Sequence, residues 1–131
     1  MLKRYGAKFM KIAVSVESTN DLTKELLQTY DIKVIPFGIV LKDRAFKDGE
    51  LSASELFKFV DECGVLPKTN AINEFEYTEF FEELKKEYDA VIHVALSSGL
   101  LFSCFKDVFS VNFDVACLTL ETTEWLMNHN L

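Results

Sequence analysis

The eight residues from Asp89 to Leu96 have the sequence DAVIHVAL. This run has the length of a β-strand, and most of its side chains are apolar, without the alternation of apolar and polar residues that marks a half-exposed strand. A strand that is apolar on both faces is typical of the middle of a parallel sheet, because helices cover such a sheet on both sides. The run therefore predicts an α/β fold in which residues 89–96 form a central strand.

Segments on both sides of this strand supply the other elements. Apolar, β-branched runs predict strands, and apolar side chains at helical spacing predict helices. The predicted strands cover residues 11–16, 32–41, 89–96 and about 113–120. The predicted helices cover residues 21–29, a segment that Ser52 or Ser54 caps and Gly64 ends, residues 74–87, a segment after Gly99, and a short segment from Glu121. This order predicts a mostly parallel sheet with helices on both faces.

Local signals refine this prediction at three places. Pro36 and Gly38 predict an edge, a bend or a bulge inside the second strand. Asn73, with Glu76 three positions later, predicts a capping box at the start of a helix. Residues 66–72 have no periodicity and are predicted to form a loop.

Length and composition limit the class of protein. The 131 residues suit one domain, residues 1–131, in which residues 1–9 are a leader, an alternative start or a cloning remnant. The net charge of -7 argues against general binding of nucleic acid or of an anionic membrane, since phosphate groups would be repelled. No apolar run reaches the roughly 18 to 20 residues that span a bilayer, so we expect no membrane insertion. Three cysteines outside any C-x-x-C pattern predict reduced core thiols in the cytoplasm. They are Cys63, Cys104 and Cys117.

Two hydroxyl-rich loops and one further polar loop are the candidate binding segments. They are Ser18-Thr19-Asn20, Ser97-Ser98-Gly99 and residues 68–73. Each precedes a predicted helix, where unpaired backbone N–H groups and the helix dipole can hold a small anion without a basic side chain. Ligands of parallel sheets bind at this end of the strands. The alternative is that these residues are ordinary helix caps.

Signatures of catalysis are missing from the sequence. It contains no G-x-G-x-x-G, P-loop or G-x-S-x-G pattern. His93 lies inside the apolar central strand and is predicted to be a hydrogen-bonded core residue. We therefore predict no catalytic residue, no metal site and no cofactor. A small hydrolase or transferase is the least favoured alternative, because no nucleophile is paired with a base.

Four separated blocks of the sequence together resemble the DegV family. They are KIAVSVESTNDLTKELLQTYDIKVIPFGIVL at residues 11–41, KDGE at 47–50, PKTNAINEFEYTEFF at 67–81 and YDAVIHVALSSGL at 88–100. Their order and spacing carry the resemblance, which covers roughly residues 10–100. It implies the amino-terminal lobe of a two-lobed protein that binds a long-chain fatty acid between its lobes.

The resemblance also implies a function and a set of binding residues. The acyl chain would lie in an apolar tunnel, and the carboxylate would be presented to a separate fatty acid kinase that uses ATP. The protein would then be a carrier and not an enzyme. By position, Thr69 and Asn70 match the family's Thr-Ser carboxylate-binding motif, and Ser97 and Ser98 match its paired serines. Ser18 matches the serine of its Asp-Ser-Thr opening.

The sequence also departs from the family. Glu17 replaces the usual Asp and Asn70 the usual Ser, LFSCFKDVF replaces a small, polar continuation after Leu100, and residues 101–131 are atypical. The second lobe is absent from the 131 residues, which would represent an excised domain, a truncated or frame-disrupted product, or a stand-alone protein. The alternative function is a diverged interaction or structural domain that has lost its ligand, with an exposed apolar surface that forms a homodimer.

Overall fold

A computed structural model describes residues 9–96 and 114–119. The strands are β1 (Ile12–Glu17), β2 (Lys33–Ile35), β3 (Gly38–Leu41), β4 (Arg44–Lys47), β5 (Lys68–Asn70), β6 (Ala90–Ala95) and β7 (Asp114–Thr119). The helices are α1 (Lys24–Thr29), α2 (Ala53–Cys63) and α3 (Glu74–Lys85). Two further predicted helices, one after Gly99 and one from Glu121, lie outside the described residues.

The strands form two sheets. The larger sheet is parallel and has the order β2-β1-β6-β7. The apolar run DAVIHVAL supplies β6, which lies between β1 and β7, so the prediction of a central parallel strand is confirmed. The smaller sheet has the order β4-β3-β5 and is antiparallel. The prediction of an α/β fold with a parallel sheet is therefore confirmed, but that sheet holds only four of the seven strands described.

The second predicted strand is two strands in different sheets. The apolar run ends in the parallel sheet at Ile35 and resumes in the antiparallel sheet at Gly38. Pro36 separates them because it lacks the N–H that a continuous ladder needs. The prediction of a single strand over residues 32–41 was wrong. Pro36 and Gly38 were predicted to mark an edge, a bend or a bulge, and the structure shows a change of sheet there. β3 then turns directly into β4 at Lys42, whose φ is 55°.

β5 lies in the segment predicted to be a loop. Its three residues are all exposed, so no apolar alternation marks them as a strand. Pairing with β3 supplies the order instead, with Ile39 opposite Thr69 and Gly38 opposite Asn70. The segment is a strand because of its neighbour and not because of its own sequence.

The helix caps follow from short polar side chains. Ser52 and Asn73 begin α2 and α3 with complete capping boxes. Gly64 ends α2 with a φ of 67°, a left-handed conformation that glycine adopts at low cost. The cap of the first helix was placed too early, because Thr23 caps α1, and Ser18 and Thr19 form a turn before it.

The core lies between α3 and one face of the parallel sheet. Phe81, which is fully buried, packs with Tyr77, Val91 and Ala13, and Ile72 joins them from the loop after β5. On the opposite face of β1, Ile12 and Val14 are 49% and 38% exposed, so the described helices leave part of this face uncovered. Cys63 corrects the prediction of core thiols, because it is exposed at the end of α2.

Within the described ranges, none of the helices is both long enough and apolar enough to cross a membrane.

Candidate functional site

A pocket of about 190 Å³ opens at the carboxyl ends of the two central strands. One side is formed by the end of β1 and the turn after it, and the other by the end of β6. The lining residues are Val16, Glu17, Thr19, Asn20, Val94, Ala95 and Leu96. The connection from β1 leads to β2 on one side, whereas β7 lies on the other side of β6. The pocket is therefore at the topological switch point, where parallel sheets bind their ligands.

Ser18 fixes the turn on the β1 side of this pocket. Its backbone N–H donates to the carbonyl of Ile35 at 3.0 Å, and its hydroxyl accepts from the N–H of Phe37 at 3.0 Å. Because a hydroxyl can donate and accept at once, the Ser18 hydroxyl can still donate its proton. Ser18 itself is not among the lining residues, but it ties the turn that carries Thr19 and Asn20 to the bend that joins the two sheets.

Glu17 is the last residue of β1 and is buried, with 4% of its surface exposed. Its carboxylate accepts from the Tyr77 hydroxyl on α3 and from the N–H of Leu96, which is 3.0 Å from Oε2. Its backbone carbonyl accepts from Nδ2 of Asn20 at 2.6 Å. One residue thus contacts both sides of the pocket and the helix behind it.

Thr69 and Asn70 lie on opposite faces of the small sheet, because successive side chains of a strand alternate. Asn70 shares a face with its partner Gly38 and with Lys47, which pairs with Gly38 from the other side. This face lines a second, open pocket of about 640 Å³. The Lys47 ammonium forms an ion pair there with Glu76, and this contact and the Asn73 N–H lower the pKa of the Glu76 carboxyl.

The structure brings some of the predicted site residues near one another. Ser18 binds the N–H of Phe37, and Asn70 pairs with the next residue, Gly38, so both adjoin the bend at residues 36–38. Thr69 pairs with Ile39, the residue after Gly38 in β3, but its side chain lies on the opposite face of the small sheet from that of Asn70. Ser97 and Ser98 lie outside the described residues. The residue before them, Leu96, lines the smaller pocket.

Two titratable groups behind the pocket are held neutral. Burial lowers the pKa of His93 to about 4, and Nδ1 of its ring is 2.8 Å from the Ser15 hydroxyl. This contact confirms the prediction of a hydrogen-bonded core histidine. Burial, assisted by the nearby Glu17 carboxylate, raises the pKa of the Cys117 thiol to about 11. Neither group is ionised at neutral pH.

No three His, Cys, Asp or Glu side chains within residues 9–96 and 114–119 are arranged to hold a metal ion. Among the described residues at the pocket, the side-chain amide of Asn20 and the N–H groups of Asn20 and Leu96 already donate to Glu17, so the hydroxyls of the turn are the donors that remain. Hydroxyl donors suit an anionic or polar organic headgroup better than a cation.

Sequence reasoning missed Glu17 and Tyr77 as residues of the site. An acid at the end of an apolar strand is one available signal, because Glu is rarely buried without partners. Tyr77 was predicted only as an inner-face residue of α3. The sequence does not indicate a hydrogen-bond partner for its hydroxyl, because Glu17 is 60 residues away along the chain.

The sequence of this chain is similar to those of known proteins. Protein DegV of Bacillus subtilis is 31% identical over 121 residues, which cover 83% of this chain and 43% of that protein. A fatty acid-binding protein of Thermotoga maritima is 32% identical over 95 residues, covering 70% of this chain and 33% of that protein. The chain thus spans less than half the length of either relative.

The fold is also similar to that of solved structures. The crystal structure of DegV, a fatty acid binding protein from B. subtilis, superposes with a TM-score of 0.72 and 27% identity, over 92% of this chain and 49% of that one. A T. maritima protein whose structure reveals a fatty acid binding function gives a TM-score of 0.71 at 25% identity, over 94% of this chain and 51% of that one. The model of the DegV family of uncharacterised proteins matches residues 11–104. Since this match covers well over half of the sequence, the chain belongs to the DegV family.

Proposed function

We propose that the chain binds a long-chain fatty acid, with the carboxylate at the pocket between the ends of β1 and β6, and serves as a carrier and not as a catalyst. The position of this pocket at the switch point of a parallel sheet is the observation that carries the proposal. The hydroxyls of Ser18, Thr69, Ser97 and Ser98 are the proposed donors to the carboxylate, and of these Ser18 and Thr69 adjoin the bend and β3 beside the pocket and are not among the residues that line it. Asn70 would contribute from the neighbouring face of the small sheet.

The described relatives support the same ligand. Proteins similar to this chain from B. subtilis and T. maritima are named as fatty acid-binding proteins. A pocket of about 190 Å³ is smaller than the roughly 300–1,000 Å³ of sites that enclose a drug-sized ligand. It would hold the headgroup, and the acyl chain would need a second lobe or a second copy to be enclosed. In the cytoplasm, a separate fatty acid kinase would then phosphorylate the exposed carboxylate.

A second candidate is an interaction domain that keeps the fold without the ligand. Ile12 and Val14 on β1 and Val94 on β6 lie on one face of the parallel sheet, as their register requires, and are 38% to 49% exposed. Apolar side chains in such a row are typical of a surface that meets another protein. This candidate would have no bound lipid and would form a homodimer.

Lipid extraction and titration distinguish the two candidates. We expect fatty acid to co-purify with the protein, and we expect the double variant Thr69→Ala, Ser98→Ala to raise the Kd for palmitate about tenfold or more, since two donors to a charged group are lost. Thr78→Ala is the matched control, because its hydroxyl binds only the Glu74 carbonyl on the exposed side of α3. A protein without lipid that also fails to bind palmitate would contradict the carrier function.

A further inference from the structure

Glu17 has an environment that needs an explanation. It is 4% exposed, although a buried carboxylate normally needs a cation or several hydrogen bonds to offset its lost hydration. Within the part of the chain that the structure describes, no Lys or Arg forms an ion pair with it. Its oxygens are held instead by the Tyr77 hydroxyl and the Leu96 N–H.

The two hydrogen-bond partners of the Glu17 carboxylate differ in their surroundings. Tyr77 is buried and rigid, because its ring stacks on Phe81 with centroids 6.0 Å apart and meets the edge of His93 at 5.7 Å. Leu96 is different, since it is the first residue after β6, is 47% exposed and precedes Ser97 and Ser98 in the sequence. The carboxylate therefore connects a rigid anchor on α3 to the residue that follows β6.

The backbone of Glu17 acts on the other side of the pocket. Its carbonyl accepts from the backbone N–H of Asn20 at 3.2 Å and from the side-chain amide of Asn20 at 2.6 Å. These bonds close the turn that contains Ser18 and Thr19. The two sides of the pocket are thus both tied to the same residue.

We propose that Glu17 is a positioning residue that holds the two sides of the pocket together, its carboxylate through the Leu96 N–H and its carbonyl through Asn20. This inference rests on the proposed function, because the pocket whose two sides Glu17 joins is the one proposed to hold the fatty acid carboxylate. The role requires a hydrogen-bond acceptor and not a negative charge. From the end of β1, the Glu17 side chain reaches both Tyr77 and Leu96.

The experiment replaces Glu17 by two residues whose side chains have a similar length. Glu17→Met removes both acceptor oxygens and puts an apolar side chain of similar size in the buried site. Glu17→Gln removes the charge but keeps one acceptor for the Leu96 N–H, and its amide can donate to the Tyr77 oxygen. Glu83→Met, an exposed acid on α3 that pairs with Lys86, is the control for a lost charge.

Two quantities are measured on each variant of the 131-residue chain. The first is the hydrogen-exchange rate of the Leu96 amide without ligand, and the second is the Kd for palmitate. We expect Glu17→Met to accelerate exchange at Leu96 and to raise the Kd roughly tenfold, as the loss of the hydrogen bond from the Leu96 N–H implies. We expect Glu17→Gln to stay within about threefold of the wild type in both. Denaturant unfolding checks that each variant is folded.

The outcomes separate this inference from the proposed function. A folded Glu17→Met protein with wild-type exchange at Leu96 would overturn the positioning role, whether or not fatty acid binds. Accelerated exchange with unchanged palmitate affinity would also overturn it, because the position of Leu96 would then have no effect on the ligand. If the wild type binds no fatty acid, the proposed function fails and the ligand part of this inference fails with it. Should Glu17→Met unfold, Tyr77→Phe replaces it, with the same expected direction and a smaller effect.

Discussion

At the scale of the single residue, His93 makes the stability of the fold sensitive to pH. Burial lowers its pKa to about 4, whereas the unfolded chain has the ordinary value of 6.5. The unfolded state therefore binds more protons between these values, and the folded state loses stability as the pH falls through this window. The whole loss is about 3 kcal/mol and levels off below pH 4.

Urea unfolding at pH 7 and pH 5.5 tests this expectation. Because few carboxylates titrate in this range, we expect the wild type to lose about 1 kcal/mol from His93 alone. His93→Gln keeps a polar group beside the Ser15 hydroxyl but cannot titrate. Its unfolding free energy should be nearly equal at the two pH values, even though its stability at pH 7 is lower. An equally large pH dependence in this variant would show that another group is responsible.

Residue types also show how far local structure at the candidate site could be predicted. Ser18 and Asn70 were expected in polar loops, because hydroxyl and amide side chains are typical of caps and turns. The structure places Ser18 in a turn, but Asn70 lies in the strand β5. Glu17 was noted only as a departure from the family. Its partners are 60 and 79 residues away, so its burial depends on the packing of α3 and β6 against β1. No local pattern carries that information.

At the scale of the element, predictions were correct where periodicity was strong. The inner face of α3 and the two apolar central strands were identified because burial imposes their patterns. The antiparallel sheet was missed for two reasons. The run over residues 32–41 is apolar throughout and hides the change of sheet at Pro36, and β5 is a polar strand whose order comes from pairing with β3.

The amphipathic character of α3 gives a second stability prediction. Phe81 on the inner face is fully buried and contacts the rings of Tyr77, Phe80 and His93, whereas Phe75 in the same helix is 68% exposed. Phe81→Leu should lower the free energy of unfolding by roughly 1–2 kcal/mol, since part of a packed ring is lost. Phe75→Leu should change it by less than about 0.5 kcal/mol.

Denaturant unfolding of both variants at neutral pH measures this difference. The two substitutions remove the same atoms from the same helix, so helix propensity contributes little to the comparison. Equal effects at the two positions would mean that α3 does not pack on the sheet with the face described. The Tyr77 hydroxyl, and with it the site at Glu17, depends on that packing.

At the scale of the whole molecule, the length of the chain bears on the strength of ligand binding. The chain spans 43% of the B. subtilis DegV protein and 33% of the T. maritima fatty acid-binding protein. The smaller pocket has room for a headgroup, and part of one sheet face stays exposed. If the chain works alone, much of a bound acyl tail would therefore remain in water.

The dependence of affinity on acyl length measures how much of the tail is enclosed. Each fully buried methylene contributes about 0.8 kcal/mol, which is roughly fourfold in Kd. For this chain we expect at most about twofold per methylene across fatty acids of increasing length, titrated below their micelle concentrations. The longer B. subtilis DegV protein is the matched comparison and should approach the full increment. A fourfold step per methylene in the 131-residue chain would contradict the open site, and would mean that these residues, singly or as a dimer, enclose the tail without a second lobe.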